Sequence, residues 1–219
     1  MGTPGAEYPR PATRPNARTL NIGWLSDDFG DHAGSYQLAE FIEHHDKSKV
    51  RLIGYNIGTP IPSDIRYKLR HSFDDFKGFQ EISEERSADL MRQDELDLLV
   101  CSIRFGASFR PGLLLRRPAP VVVSYQGHPG TLGNACVDYI IADGHLIRPG
   151  EEAFFDESVV RLPGSSRCIL PAPPPTVGHG SRSDHGLKDD AFVFCNFSPT
   201  AFEMTSFARS AAWIAALPH

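Results

Sequence analysis

The fold is decided by the stretch Val121-Val-Val-Ser-Tyr-Gln-Gly-His-Pro-Gly-Thr-Leu-Gly133 and by Val137-Asp-Tyr-Ile-Ile-Ala-Asp143, which follows it closely. In each stretch a short apolar run, rich in β-branched residues, leads into a polar loop. The first loop is rich in Gly, His and Pro, and the second begins with an acidic residue. An α/β protein builds its ligand-facing rim in this way, at the carboxyl ends of its strands.

Outward from this stretch, strand patterns and helical patterns alternate. The predicted strands are Leu20 to Ser26, Val50 to Asn56, Leu96 to Cys101, Pro120 to Ser124, Tyr139 to Ile141 and Val159 to Leu162. The predicted helices are residues 36–45, 64–71 and 83–94, and the last has a Ser cap followed by acidic residues. The third strand is almost continuously apolar, which is typical of a strand buried on both faces of a parallel sheet. We therefore predict an α/β protein with a Rossmann-like, doubly wound parallel sheet.

Composition divides the chain into four predicted segments. Residues 1–18 are rich in Pro, Gly, Ala and Arg without periodicity, which predicts a disordered tail. Residues 19–163 form the Rossmann-like domain, and residues 164–190 form a linker rich in Pro, Gly and Ser. Residues 191–219 hold the patterns of one strand and one helix. Because two elements cannot bury a core, we expect them to be the start of a second Rossmann-like domain.

Charge and composition exclude several classes of function. The net charge of −5 offers no basic surface for nucleic acid or an anionic membrane. No uninterrupted apolar run approaches the ~20 residues of a membrane-spanning helix, and the N-terminus lacks an apolar signal core. The four cysteines are far apart without a CxxC pair, which indicates free thiols in a reducing compartment. These features predict a soluble, cytoplasmic protein.

His32 is the first candidate site residue. It closes the acidic loop after the first strand, and in a parallel sheet this loop lies over the strand ends, where ligands bind. Histidine titrates near neutral pH, so His32 is a candidate donor to a diphosphate or to a substrate hydroxyl. The alternative is that His32 caps the next helix or is solvated at the loop tip. A GxGxxG fingerprint is absent, so a hydride-transfer cofactor is not predicted.

The second candidate is the loop that contains Gly127, His128, Pro129, Gly130 and Thr131. The glycines permit tight turns, and proline fixes its own φ. The N–H groups of such a turn, with the threonine at a helix start, can hold an anion or a sugar hydroxyl. The histidine is a candidate polar contact. The alternative is a plain turn that seats a helix against the sheet.

A metal site is not predicted. His44 and His45 are adjacent on a predicted helix and point in different directions, while His179 and His185 lie in the predicted linker. No cysteine or carboxylate completes a ligand set around them. A Gly-x-Ser-x-Gly elbow is also absent, so Ser/His/Asp hydrolysis has no support.

Several motifs resemble the protein O-GlcNAc transferases, from about Leu20 to Leu217. They are Asn21-Ile-Gly-Trp-Leu-Ser-Asp-Asp-Phe-Gly-Asp-His32, Arg116-Arg-Pro-Ala-Pro120, Gln126-Gly-His-Pro-Gly-Thr131, Asp138-Tyr-Ile-Ile-Ala-Asp143 and Phe194-Cys-Asn-Phe197. The resemblance implies the GT-B arrangement, two Rossmann-like domains facing each other across a cleft, of which residues 19–163 would be the first. It also implies transfer of N-acetylglucosamine from UDP-GlcNAc to Ser or Thr hydroxyls of a protein acceptor, with inversion and without a metal or other cofactor.

By this resemblance His32 matches the histidine at the catalytic cleft, and residues 127–131 match a loop that lines the cleft. The chain departs from the family where a lysine contacts the donor diphosphate, because the aligned residue is Phe202. After Cys101, Arg104 is a substitute anion contact where relatives have other polar residues. Two functions stay open: a glycosyltransferase of this type, or a non-catalytic binding module with the same fold. Self-association through an exposed inter-domain face is a further expectation.

Overall fold

The computed structural model describes residues 18–103, 109–133, 136–166 and 180–188, together with residues 12, 190 and 193. The chain divides into two compact units, residues 1–171 and residues 172–219. In the second unit the described residues include a 3-10 helix, Ser183–His185. Arg104, Phe202 and, apart from Val193, the strand and helix predicted after residue 190 lie outside the described residues. The boundaries at residues 18, 163 and 190 stay predictions.

The described part of the first unit alternates strands with helices. The strands are β1 Leu20–Ser26, β2 Val50–Asn56, β3 Asp75–Gly78, β4 Leu98–Ser102, β5 Val121–Ser124, β6 Tyr139–Ala142 and β7 Ser158–Arg161. The helices are α1 Ala33–Glu43, α2 Asp64–Ser72, α3 Glu84–Gln93 and α4 Pro111–Leu115, with a 3-10 helix at Glu152–Phe154. None of the described helices is long and apolar enough to cross a membrane.

The seven strands form one sheet in the order β3-β2-β1-β4-β5-β6-β7. Every neighbouring pair is parallel. The chain moves outward from β1 to β3, returns to the other side of β1 at β4, and then continues outward to β7. The strand order therefore reverses between β1 and β4, as in a doubly wound Rossmann sheet. This topology confirms the predicted fold class.

Helices cover both faces of the sheet. Successive strand residues point to opposite faces, so Trp24 and Leu25 of β1 enter different cores. Trp24 packs in one cluster with Ile42 of α1 and with residues of α2. Leu25 packs in the other cluster with Met91 of α3 and with residues of α4. The two helix layers leave the carboxyl ends of the central strands to be covered by loops.

The helices begin where the sequence supplies caps. The hydroxyls of Ser63 and Ser83 accept hydrogen bonds from the third residue of α2 and of α3, and the second of these caps was predicted. One strand and one α-helix among the described elements were not predicted. Strand β3 is a four-residue edge strand, and α4 is little more than one turn that begins at Pro111. Both are too short for a period to show in the sequence.

Candidate functional site

A cavity of about 230 Å³ lies at the carboxyl ends of β1 and β4. We call it the switch-point cavity. It is lined by Trp24, Ser26, Asp28, His32, Gly34, Ser35, Leu38, Ser102, Gln126 and Gly127. These residues come from β1, the loop after it, the start of α1, the end of β4 and the loop after β5. The cavity thus occupies the point at which the strand order reverses, where open α/β sheets bind ligands.

His32 both caps α1 and lines the cavity. Its Nδ1 accepts a hydrogen bond of 3.1 Å from the Gly34 N–H, and the same nitrogen lies 3.5 Å from Oδ2 of Asp28. A ring nitrogen that accepts a hydrogen bond carries no proton, so the cap assigns the proton of neutral His32 to Nε2. The side chain is 47% exposed, which leaves it accessible from the cavity side. The capping alternative is therefore correct and does not exclude a role at the cavity.

Three serine hydroxyls join the loops around the cavity. Ser26 Oγ donates to the Ser102 carbonyl (3.3 Å) and accepts from the Asp28 N–H (3.1 Å). Ser35 Oγ donates to the Asp28 carbonyl at 3.0 Å, and Ser102 Oγ donates to the Tyr125 carbonyl at 2.6 Å. Each hydroxyl proton is committed to a backbone oxygen, so these serines fix the shape of the site. Sequence reasoning missed them, although two of them end β1 and β4.

Gly127 is required by close packing. A Cβ at this position would lie 2.3 Å from the carbonyl oxygen of Ile103 and 2.7 Å from its nitrogen. No side chain other than hydrogen fits at such distances from backbone atoms. The loop after β5 therefore packs directly against the backbone of Ile103, the residue that follows β4. This contact brings Gly127 into the same cavity as His32.

The rest of the predicted loop lies elsewhere. His128 and Pro129 line a smaller crevice of about 30 Å³ together with Tyr125 and Ser166. Gly130 packs beside the imidazole of His128, because a Cβ on this glycine would lie 3.0 Å from its Nε2. Of the five predicted loop residues, the glycine at position 127 is thus the one that lines the switch-point cavity.

The prediction that Thr131 begins a helix is wrong. Described residues 131–133 and 136–138 contain no helix. Thr131 Oγ1 instead accepts from the Gly133 N–H at 2.9 Å, and the Leu132 N–H donates to the buried carboxylate of Glu157 at 2.8 Å. Threonine favours such local turns over helix interiors because its hydroxyl competes for backbone donors. Two N–H groups that an anion would need are therefore already used.

The smaller crevice is closed by a polar network around Ser166. The Tyr125 hydroxyl donates to the Ser166 carbonyl at 2.7 Å. Asp143 accepts from the N–H and the hydroxyl of Ser166 and from two further backbone N–H groups. These hydrogen bonds, led by that from the Ser166 N–H, hold the pKa of the Asp143 carboxyl well below its usual range. The predicted acidic end of β6 is thus a structural anchor.

The charge of the switch-point cavity limits its ligands. Among the described residues that line it there is one carboxylate, that of Asp28, and neither Lys nor Arg. A phosphate needs cations or several free N–H groups, so this lining suits an uncharged polar ligand better. Among the described residues no group of three or more His, Cys, Asp or Glu side chains could hold a metal ion.

The fold and the cavity define a doubly wound α/β protein with a ligand site at its topological switch point. Residues 2–158 match the family model described as Glycosyl transferase family 41. The chain belongs to this family. The resemblance to O-GlcNAc transferases is confirmed by this match and by individual relatives.

Among the relatives is the probable UDP-N-acetylglucosamine–peptide N-acetylglucosaminyltransferase SEC of Arabidopsis thaliana, 27% identical over 83% of this chain and 19% of its own length. The probable enzyme of the same description named SPINDLY, also from Arabidopsis thaliana, is 32% identical over 71% of this chain and 17% of its own length. A mutant O-GlcNAc transferase from Thermobaculum terrenum superposes with a TM-score of 0.69 at 30% identity, over 77% of this chain and 32% of that chain. The chain spans less than a fifth of these two curated relatives.

Proposed function

We propose that residues 19–163 form the acceptor-binding half of a protein O-glycosyltransferase that uses UDP-GlcNAc. The observation that carries the proposal is the switch-point cavity, which brings His32 and Gly127 together within the region that matches the family. The relatives named as peptide N-acetylglucosaminyltransferases support the reaction. In it, the oxygen of a Ser or Thr hydroxyl bonds to the anomeric carbon and its proton passes to solvent, while the bond to UDP breaks and UDP leaves with the electron pair.

The charge of the cavity supports the acceptor side. UDP-GlcNAc carries a diphosphate, and its departure is stabilised by positive charge or by several aimed donors. The switch-point cavity offers the carboxylate of Asp28 instead, and in the part of the chain that the structure describes none of its lining residues is Lys or Arg. We therefore place the uncharged Ser or Thr segment of the acceptor protein in this cavity and the diphosphate outside it.

In this arrangement His32 positions the acceptor. Because Nδ1 is used by the Gly34 N–H, Nε2–H is the group that donates to the acceptor hydroxyl oxygen. The N-cap bond holds the ring at the helix start, so the donor is oriented before the acceptor arrives.

The test uses the protein purified from its source cells, UDP-GlcNAc and an extract of the same cells. Mass spectrometry measures the addition of one N-acetylhexosamine to acceptor proteins. His32→Asn is the informative variant, because asparagine still caps a helix but has no imidazole. We expect it to lose transfer, while His44→Ala keeps transfer. His44 is a suitable control because it is exposed and lies at the opposite end of α1.

The second candidate function is a non-catalytic binding module, and Phe202 favours it. In this case the wild-type protein would transfer no sugar, and calorimetry would detect no UDP-GlcNAc binding. Phe202→Lys then separates two situations. A gain in affinity for UDP would mean that only a cation is missing, and no gain would mean that the donor site itself is lost.

We further propose a cytoplasmic location and self-association. The buried free thiol of Cys101 supports a reducing compartment. Exposed apolar side chains such as Phe154, which is 77% exposed, support self-association. Fractionation of the source cells tests the first proposal, and sedimentation velocity over a range of concentrations tests the second.

A further inference from the structure

The loop that carries His32 is held by hydrogen bonds to its backbone carbonyl groups. We call residues 27–32, which connect β1 to α1, the His32 loop. The carbonyl group of Asp28 accepts from the Ser35 hydroxyl at 3.0 Å, and that of Gly30 accepts from the N–H of His32 at 2.9 Å. Both donors lie close by in the sequence. These two bonds therefore shape the loop locally but do not tie it to another element of the fold.

The carbonyl group between these two is bonded to a distant helix. The guanidinium Nη1 of Arg66, in α2, donates to the Phe29 carbonyl at 3.2 Å, across 37 positions of sequence. The hydroxyl of Ser63, the N-cap of α2, accepts from the backbone N–H of Arg66 at 3.3 Å, which fixes the start of the arginine side chain. The middle of the His32 loop is thus tied to the first turn of α2.

An aromatic cluster holds the guanidinium at this place. Its central carbon lies 5.8 Å from the centre of the Phe76 ring, a cation–π distance. The Phe29 ring is 1% exposed and packs edge-on against the same Phe76 ring, with 5.2 Å between centroids. Arg66 and Phe29 therefore share one neighbour, and the cation–π contact and the hydrogen bond act together on the geometry of this pair.

The position is an expensive one for a cation. Partial burial, and then the neighbouring charge of Arg70, lower the pKa of Arg66. Among the described residues no carboxylate forms an ion pair with its guanidinium. A partly buried charge without such a partner needs another polar contact to offset its lost hydration. Because an apolar side chain would cover Phe76 without this cost, the directional bond to the Phe29 carbonyl is what the arginine specifically supplies.

A movement of the Phe29 carbonyl would reach the imidazole. The next residue is Gly30, whose carbonyl accepts the N–H of His32, and Nδ1 of His32 accepts in turn from the Gly34 N–H. Arg66 is not among the described residues that line the switch-point cavity, so any influence on the site passes through this loop.

We propose that Arg66 is a positioning residue for His32: its hydrogen bond to the Phe29 carbonyl fixes the place of the imidazole at the switch-point cavity. The expected effect on sugar transfer rests on the proposed function. The expected effect on the imidazole does not, because it concerns the free protein.

The direct test observes the His32 imidazole by NMR. A long-range ¹H–¹⁵N correlation spectrum shows which ring nitrogen carries the proton, and His32→Asn assigns the signals among the nine histidines. When the ring is neutral, we expect the Nε2–H tautomer in the wild type, because Nδ1 accepts from the Gly34 N–H. Arg66→Met keeps an unbranched side chain over Phe76 and removes the hydrogen bond. We expect this variant to show a mixture of both tautomers.

The second test measures sugar transfer with the acceptor extract described above. Arg66→Met should lower the rate at saturating UDP-GlcNAc about tenfold or more, because the acceptor hydroxyl is less well oriented. The KM for UDP-GlcNAc should not change, since the diphosphate lies outside the switch-point cavity. Arg66→Lys keeps the charge but lacks the planar guanidinium, so it should lower the rate as well. Arg70→Met is the matched control, because Arg70 is exposed one turn further along α2.

The two measurements separate the possible failures. If Arg66→Met melts at a lower temperature but keeps the wild-type His32 signals and transfer rate, Arg66 is structural and the proposal is wrong. If the rate falls while the His32 signals stay, the arginine acts by another route and the proposal is again wrong. If the signals change but the wild type transfers no sugar, the positioning of His32 stands and the proposed function fails. If Arg66→Met does not fold, Arg66→Lys decides by the same measurements.

Discussion

Two polar regions of the Rossmann-like unit differ in how completely their groups are paired. Around the C-cap of α3, the Tyr55 hydroxyl and the Lys77 ammonium both donate to the Asp94 carboxylate, and the Asn21 amide donates to the Asp94 carbonyl. We call this group the Asp94 cluster. The switch-point cavity, at the carboxyl ends of β1 and β4, is lined by the half-exposed His32 and by Trp24, whose buried indole N–H has no acceptor among the described residues.

This difference in pairing indicates that the Asp94 cluster contributes to stability and that the switch-point cavity contributes to ligand binding. In the Asp94 cluster, burial and the neighbouring carboxylate raise the pKa of Tyr55 well above its usual range, so the hydroxyl stays a donor at all physiological pH values. Its groups satisfy one another and need no ligand. The switch-point cavity differs, because its wall contains the Trp24 N–H, which has no acceptor among the described residues. Variants in the two regions should therefore affect different measurements.

The largest expected effect is on transfer. His32→Asn should lower the rate of sugar transfer about 100-fold or more, because the acceptor hydroxyl oxygen is no longer oriented by the Nε2–H group of His32. Its melting temperature should stay close to that of the wild type, since asparagine replaces the cap. A His32→Asn protein with a normal transfer rate would contradict this prediction. It would mean that the switch-point cavity does not position the acceptor hydroxyl for the reaction.

Gly127→Ala should affect both stability and binding. The added Cβ would meet the Ile103 backbone, so the loop must move away from β4, at a cost of roughly 1–3 kcal/mol in the free energy of unfolding. Affinity for a Ser peptide should fall with it, because Gly127 lines the switch-point cavity. Gly144→Ala is the control, because its Cβ would meet no atom within 4 Å. Urea denaturation and calorimetry measure the two effects, and equal stabilities of the two variants would refute the packing argument.

Tyr55→Phe should act on stability alone. It leaves one oxygen of the Asp94 carboxylate without its buried donor, which should cost about 1–2 kcal/mol of unfolding free energy. Ligand affinity and transfer should not change, since the residues of the Asp94 cluster do not line the switch-point cavity. Tyr139→Phe, at an exposed position, provides the matched control for the loss of a hydroxyl. A drop in affinity would show that the two regions are coupled.

The smallest effect concerns pH. Because the folded-state pKa of Asp143 lies below its ordinary value of 3.8, the carboxylate stabilises the fold above that pH. This contribution is lost progressively as the pH falls below 3.8 towards the folded-state pKa. The difference in melting temperature between the wild type and Asp143→Asn should therefore be constant from pH 5 to 7 and shrink below about pH 4. A difference that is independent of pH would mean that the charge of Asp143 is not what anchors Ser166.

Local patterns predicted most of the sheet. The Val-rich run before Ser124 and the apolar run that ends in β4 are strands, as their composition indicates. The helix α1 begins at Ala33 rather than Tyr36, because the imidazole of His32 supplies the cap. The edge strand β3 and the short α4 were missed, since their stability comes from pairing and packing with distant elements.

The sequence by itself determined the α/β class, the parallel sheet, the family and two residues of the site, His32 and Gly127. These depend on local periodicity and on short motifs, which involve only residues that are close together in the sequence. Only the tertiary structure decided that Trp24, Ser26 and Ser102 share one cavity, that Thr131 closes a turn, and that the Trp24 N–H has no acceptor among the described residues. Strands distant in sequence become neighbours in the sheet, and the pairing of a polar group depends on every residue that surrounds it in space.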